Sequence, residues 1–304
     1  MSKTIKEITL VSTLTGHQNP IFTLAQPEHT NLLYTAGNDK GVVEWDLSTM
    51  SFKRILCQVS ASVYTLLAIP DTTLLAIGMR SGQIMIVDRE TQSLRANLST
   101  ENGAVFSLQI IPSKGELIAI GEEGVAYVWD LARFELLYRF KISDTTVRVI
   151  AIDPNGEFLA FGDKQGVIYS YSLADFELVS KQKIHDLAVT SLLFQQGYLF
   201  SGARDAKLMK LKPANLSIEK SITAHMFTVY GIDQSFSDDL LATVSRDKTM
   251  KIWRADDLAL VKNIGRDRGF DSHNLSINAF LWKDEYLYTV SDDKTIKVWK
   301  ITAL

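Results

Sequence analysis

Cysteine is almost absent from the chain, with Cys57 the only one. A lone thiol excludes an intramolecular disulfide and a cysteine-built zinc site. Basic excess is missing too: 32 Lys and Arg stand against 35 Asp and Glu, a formal charge of -3. General binders of nucleic acid or anionic membrane carry the opposite balance, so neither partner is expected. No apolar run approaches the roughly 18 residues of a spanning helix. The opening MSKTIKEITLVSTLTGH alternates apolar and polar residues, without the apolar stretch of a signal peptide. No Gly-Xaa-Ser-Xaa-Gly elbow, phosphate loop or dinucleotide fingerprint is found, and no stretch keeps a 3.6-residue period. These absences predict a soluble, cytoplasmic, non-catalytic protein that needs no metal or cofactor. Hydrophobic residues make up 46% of the 304, enough for a large core.

Internal repetition is what the chain has in abundance. Trp45, Trp129, Trp253 and Trp299 each close a short run in which a small residue, an acid position and the Trp keep fixed spacing. Val87, Tyr171 and Leu211 hold the Trp position in the copies between them. The seven positions fall 42, 42, 42, 40, 42 and 46 residues apart. Pro70, Pro112 and Pro154 keep a second register, also 42 apart, each opening a polar turn. Segments such as VYTLLAI and QIMIVD are short, apolar or alternating, and rich in β-branched residues. Turn residues break them every eight to twelve positions or so. Four short strands per repeat of about 42 residues is the arithmetic of a propeller blade, whereas ankyrin and tetratricopeptide units are shorter and helical. A blade must bury both faces against neighbours, so the units are expected to form a closed array. The prediction is an all-β fold, a seven-bladed β-propeller of four-stranded antiparallel blades, forming one domain over residues 1–304.

The repeats resemble the WD-repeat β-propeller family, and seven of them cover essentially the whole chain. Blade 1 ends TAGNDKGVVEWD, blade 6 TVSRDKTMKIWR and blade 7 TVSDDKTIKVWK; the family's Gly-His element stands at Gly16–His17. It survives as histidine alone at His185, His225 and His273. Blades 2 to 4 lack that histidine, and their acid position holds Ser81, Glu123 and Gln165. Blade 3 reads one residue short in its inner turn, AIGEEG against AIGMRSG. The family places the outermost strand of the last blade ahead of the first Gly-His. Residues 5–13 are therefore expected to complete blade 7, which stops soon after Trp299, and so close the ring.

The same resemblance assigns the histidines. His17, Thr35, Asp39 and Trp45 recur as His225, Thr243, Asp247 and Trp253, and as His273, Thr289, Asp293 and Trp299. In the family these positions form a relay within one blade, from Asp to His to Ser/Thr to the indole N–H. Each polar group thereby finds a buried partner. Blade 5 keeps His185, Ser201 and Asp205 but ends in Leu211, so its relay is incomplete. Copies in separate blades cannot converge on one metal, which favours a structural role over catalysis. Blades 2 to 4, without the relay, are expected to lean on apolar packing. His29 reads as an exposed turn residue and Cys57 as a packed apolar one.

Function in such a disc sits on displayed loops. In the family, the commonest docking face carries the outer-to-inner loops and the second-to-third turns. Position by position this gives Phe22, Tyr64, Phe106, Arg148, Thr190, Tyr230 and Asn278 near the channel mouth. Around them stand Asn38, Arg80, Glu122, Lys164, Arg204, Arg246 and Asp292. Tyr, Phe and Arg dominate interface energetics. The insertion GRDRGFDS adds Phe270. The expected partner is a protein or peptide with acidic and apolar segments, bound to a monomeric disc within a complex. A small-ligand receptor or enzyme using the central channel is the alternative reading. A structural subunit docking by its sides is another.

Overall fold

Glycine, Asn, Asp and Ser at regular intervals cut each repeat into a meander, and the structure, a computed structural model, describes residues 5–235 and 239–303. Seven four-stranded antiparallel sheets result. Blade 1 runs from the axis outward as Ile21–Ala25, Leu32–Gly37, Gly41–Asp46 and Ser51–Gln58. Blades 2 to 7 begin with the inner strands Val63–Ala68, Val105–Ile111, Val147–Ile152, Val189–Gln195, Val229–Gln234 and Ile277–Lys283. Each inner strand packs on the next, and that of blade 7 packs on that of blade 1, which makes a ring.

Burial follows position along the radius. The second strand of blade 6, Leu240–Ser245, is buried throughout because neighbouring blades cover both of its faces. The outer strand of blade 4, Leu178–Lys183, is almost wholly exposed. The core therefore lies between blades: Ile118, Ile120 and Val128 of blade 3 meet Val147, Leu159 and Phe161 of blade 4. A fully buried aliphatic side chain of this kind contributes about 1.5–3 kcal/mol.

Both ends of the chain build the last blade. Ile5–Thr15 pairs antiparallel with Thr295–Ala303, with Ile8 opposite Ile301, Leu10 opposite Trp299 and Leu14 opposite Ile296. Ile8 and Leu14 are buried there. The closing strand runs two residues beyond the expected residues 5–13, to Thr15.

One expectation fails in the hairpin of blade 3, which is not a residue short. Val105 pairs with Gly121 as Val63 of blade 2 pairs with Met79, so Gly121 stands at the place of Met79 and the two turns are equally long. The glycine has moved by one position. A Cβ on Gly121 would lie 2.0 Å from the Ala104 carbonyl oxygen, an impossible approach that explains its presence.

Candidate functional site

The relay geometry is complete in blades 1, 6 and 7. In blade 1, His17 Nδ1 lies 2.6 Å from Asp39 Oδ2, His17 Nε2 2.7 Å from Thr35 Oγ1, and the Trp45 indole N–H donates to Thr35 Oγ1 at 2.8 Å. Blade 6 repeats this at 2.9, 2.8 and 2.9 Å through His225, Asp247, Thr243 and Trp253. Blade 7 repeats it at 2.9, 2.8 and 3.2 Å through His273, Asp293, Thr289 and Trp299. His185 in blade 5 reaches Asp205 and Ser201 at 3.0 and 2.8 Å, with Leu211 in place of an indole. An indole can only donate, so the Thr hydroxyl that accepts from it donates to Nε2, and Nδ1–H donates to the carboxylate. That tautomer is neutral. Accordingly burial, outweighing the adjoining carboxylate, lowers the pKa of His17 and His225. Burial pushes the Asp247 and Asp293 carboxyls up, but hydrogen bonds from His, Thr and backbone outweigh it and hold both well below the usual range.

Each relay carboxylate also holds a loop. It accepts the backbone N–H of the residue after its histidine: Gln18 to Asp39, Asp186 to Asp205, Met226 to Asp247 and Asn274 to Asp293, at 2.9–3.1 Å. The outer-to-inner loops of blades 1, 5, 6 and 7 are pinned in this way.

Blades 3 and 4 are not left to apolar packing, contrary to expectation. In blade 4, buried Asp163 accepts from Ser143 Oγ at 2.9 Å and from the Tyr169 hydroxyl at 3.0 Å. In blade 3, the Tyr127 hydroxyl donates to Glu123 at 2.7 Å and accepts the Glu101 N–H at 3.1 Å. A third-strand tyrosine replaces the histidine in both blades. In blade 2, by contrast, Val59, Ile77 and Val87 stand where the His, Thr and Trp would be, with Ser81 at the acid position.

The seven mouth positions share one backbone device. Phe22, Tyr64, Phe106, Arg148, Thr190, Tyr230 and Asn278 each sit at a β-bulge, between residues that pair with the second strand. A bulge leaves one residue outside the ladder and re-aims its side chain. All seven are half-buried. Phe22 and Tyr64 rings lie 5.8 Å apart, Tyr64 stacks on Phe106 at 5.5 Å, and the Arg148 guanidinium lies 4.8 Å from the Phe106 ring. The chain thus brings four predicted residues into one arc across blades 1 to 4. Tyr230 stands outside that arc.

Arg80, Lys164, Arg204 and Arg246 ring this mouth. Their backbone N–H groups donate to Ser62, Thr146, Ala188 and Thr228 carbonyls at 2.8–3.1 Å, while their side chains are exposed. None of the four, nor Arg148, forms an ion pair among the described residues. Phe270 does not join them. Its half-buried ring turns inward against Trp299 at 6.4 Å and packs with the blade 6–7 core, because the insertion folds back through the turn Arg266–Arg268.

Sequence reasoning missed an apolar group on the same face. Leu187, Phe227 and Leu275 each lie two residues after a relay histidine and are 50%, 53% and 46% exposed; Met226 is 79% exposed. Their spacing from the histidines was the available signal. Arg246 lies 6.0 Å from the Phe227 ring, so cation and apolar surface adjoin.

The opposite face differs. The tight hairpin of blade 7 leaves a cleft of about 930 Å3 between blades 6, 7 and 1, lined by Glu28, Asp233, Trp282, Asp284 and Tyr286 among others. Asp233 accepts the Trp282 and Gln234 backbone N–H groups at 2.8 and 2.9 Å, and burial pushes its carboxyl up to about 6. Exposed His29 rims this cleft, and burial raises the Cys57 thiol on the outer strand of blade 1 to about 11. Among the described residues, no group of three or more His, Cys, Asp or Glu side chains is placed to hold a metal.

Seven four-stranded blades, three of them with a His–Thr–Asp–Trp network, make a seven-bladed β-propeller. The family model described as WD domain, G-beta repeat matches residues 8–46, 217–254 and 267–300, the copies with complete relays. Three matched repeats and the seven-bladed ring are consistent with a WD-repeat family. No curated protein matched the chain. Propellers of this family typically serve as protein-interaction scaffolds, and the fold is generally non-catalytic.

Proposed function

We propose that the chain is a non-catalytic scaffold that docks a protein or peptide segment of acidic and apolar character on the face around the channel mouth. The observation that carries this reading is the pairing of two unmatched surfaces on one face. Four exposed basic side chains have no ion-pair partner among the described residues, and Leu187, Met226, Phe227 and Leu275 stand exposed on the same face. Apolar contact supplies desolvated area, while the cations steer and select acidic groups. The track runs from blade 2 to blade 7, with its apolar part on blades 5 to 7.

Affinity capture with mass spectrometry supplies the partner, which is then purified for binding measurements. Reversing both Arg204 and Arg246 to Glu is expected to lower its affinity at least about tenfold and to slow association. The melting temperature should barely move, since exposed charges contribute little to stability. Lys220→Glu, on the outer strand Ile218–Thr223, is the control and should bind as wild type. Equal affinity for the double variant, or an association rate indifferent to salt, rejects this face in favour of the sides or the opposite face.

A further inference from the structure

The least satisfied charge on this face belongs to Arg148. Its guanidinium is held over the Phe106 ring, and its Nε is buried without a hydrogen-bond partner among the described residues. Burial and the nearby Arg204 together lower its pKa from the ordinary arginine value. The Glu122 carboxylate also acts on it, and the Glu122 Oε2 atom is engaged by the Ala104 backbone N–H at 2.9 Å. Tyr64 and Tyr230 are also close enough to act on it electrostatically, and neither hydroxyl has a hydrogen-bond partner among the described residues. Thr190, between Arg148 and Tyr230 around the ring, directs its own hydroxyl to the Val229 carbonyl.

A desolvated cation without a partner is costly, and native structures keep one where something charged completes it. Apart from Glu122, whose Oε2 atom is already engaged, the groups around Arg148 can donate: the Arg204 guanidinium and two phenols. Phe106 fixes the plane of the Arg148 fork, which pre-sets it for two parallel hydrogen bonds to one planar or tetrahedral oxyanion. We propose that Arg148, with Arg204 as second cation and Tyr64 and Tyr230 as hydroxyl donors, forms a seat at the channel mouth for one oxyanion group of the docked segment, a carboxylate or a phosphate. This rests on the docking reading above and adds the chemistry of its central contact.

The test uses the whole chain and simple anions. Inorganic phosphate, acetate and chloride are titrated at constant ionic strength, following the melting temperature and the Arg148 and Arg204 Nε–H resonances. Phosphate or acetate, but not chloride, should raise the melting temperature saturably and shift the Arg148 resonance. Acetate acting as well as phosphate identifies a carboxylate seat; phosphate acting alone identifies a phosphate seat. Arg148→Met should require about tenfold more anion for the same effect, the loss expected for a charged hydrogen bond. In chloride alone that variant should melt higher than wild type, because an uncompensated buried charge is removed. Arg148→Lys retains charge without the fork and should fall between them. A response no greater than that to chloride, or an undiminished response in Arg148→Met, overturns the seat. If that happens while Arg204→Glu/Arg246→Glu still weakens the partner, the docking face stands without the seat. If the anion response holds but that double variant binds normally, the docking reading falls, and with it the assignment of the anion to a partner.

Discussion

Asp247 accepts the Met226 backbone N–H at 3.0 Å through the same Oδ2 that meets His225 Nδ1 at 2.9 Å. The relay of blade 6 and the loop that displays Met226 and Phe227 are therefore one hydrogen-bonded unit. The sequence suggests a relay that serves stability alone; the structure gives it a second task, positioning exposed apolar residues.

His225→Ala is expected to cost about 1–3 kcal/mol in chemical denaturation, since Asp247 and Thr243 lose a buried partner. It should also speed exchange of the Met226 amide beyond what the global loss explains. Trp253→Phe removes the far end of the relay and should destabilise without that local effect. Equal Met226 protection in both variants would separate the relay from the loop.

The pH dependence has two opposing parts. His17 and His225, with lowered pKa values, contribute stability that is present above 6.5 and lost as pH falls below it. Asp247 and Asp293, also lowered, contribute stability present above 3.8 and lost as pH falls further. Asp233 runs the other way: its carboxyl is raised from 3.8 to about 6, so its contribution is present below 3.8 and lost as pH rises through 6. The stability of wild type relative to Asp233→Asn should thus grow on acidification from pH 7 to 4, by up to about 3 kcal/mol. Parallel stability curves for the two proteins would contradict this.

Tyr169→Phe tests the substitute network of blade 4. It leaves buried Asp163 short of one donor and should cost about 1–3 kcal/mol, while Met85→Leu at the matching place in apolar blade 2 should cost less than about 1.5 kcal/mol. Thermal or denaturant unfolding distinguishes the two.

Removing residues 1–15 should lower the unfolding midpoint of the entire ring, because it uncovers Trp299 and the free edge of Thr295–Ala303. A synthetic peptide of residues 5–15 added in excess should restore part of the loss. A truncated chain that melts like wild type would show the ring to be closed by other contacts.

The ring was legible because a Trp position recurring at near-constant spacing leaves its mark on the sequence, and so do the relay and the mouth positions one residue past each inner-strand Val or Ile. Tyr127 and Tyr169 were not, since a tyrosine in a strand reads as β-propensity until its hydroxyl is seen to reach Glu123 or Asp163. Gly121 misled because register is fixed by pairing, not by the glycine itself. The packing of Phe270 against Trp299 was not legible, because an insertion has no counterpart in other blades. Met226 and Phe227 lie in a loop without period, where only burial separates a displayed side chain from a packed one.

Thr13 pairs with Lys297, 284 residues further along the chain. During synthesis, Ile5–Thr15 must therefore wait, with both edges unpaired, until nearly everything else has been made. Such distant pairing is slow to form, and an open strand edge in the meantime invites pairing with other chains. The polar residues Glu7, Thr9 and Thr13, exposed in the finished ring, keep that waiting strand partly hydrated on both of its faces. A bulky fusion placed directly before Ile5 should accordingly show itself as poor yield and aggregation of the nascent protein long before it shows as weakened binding.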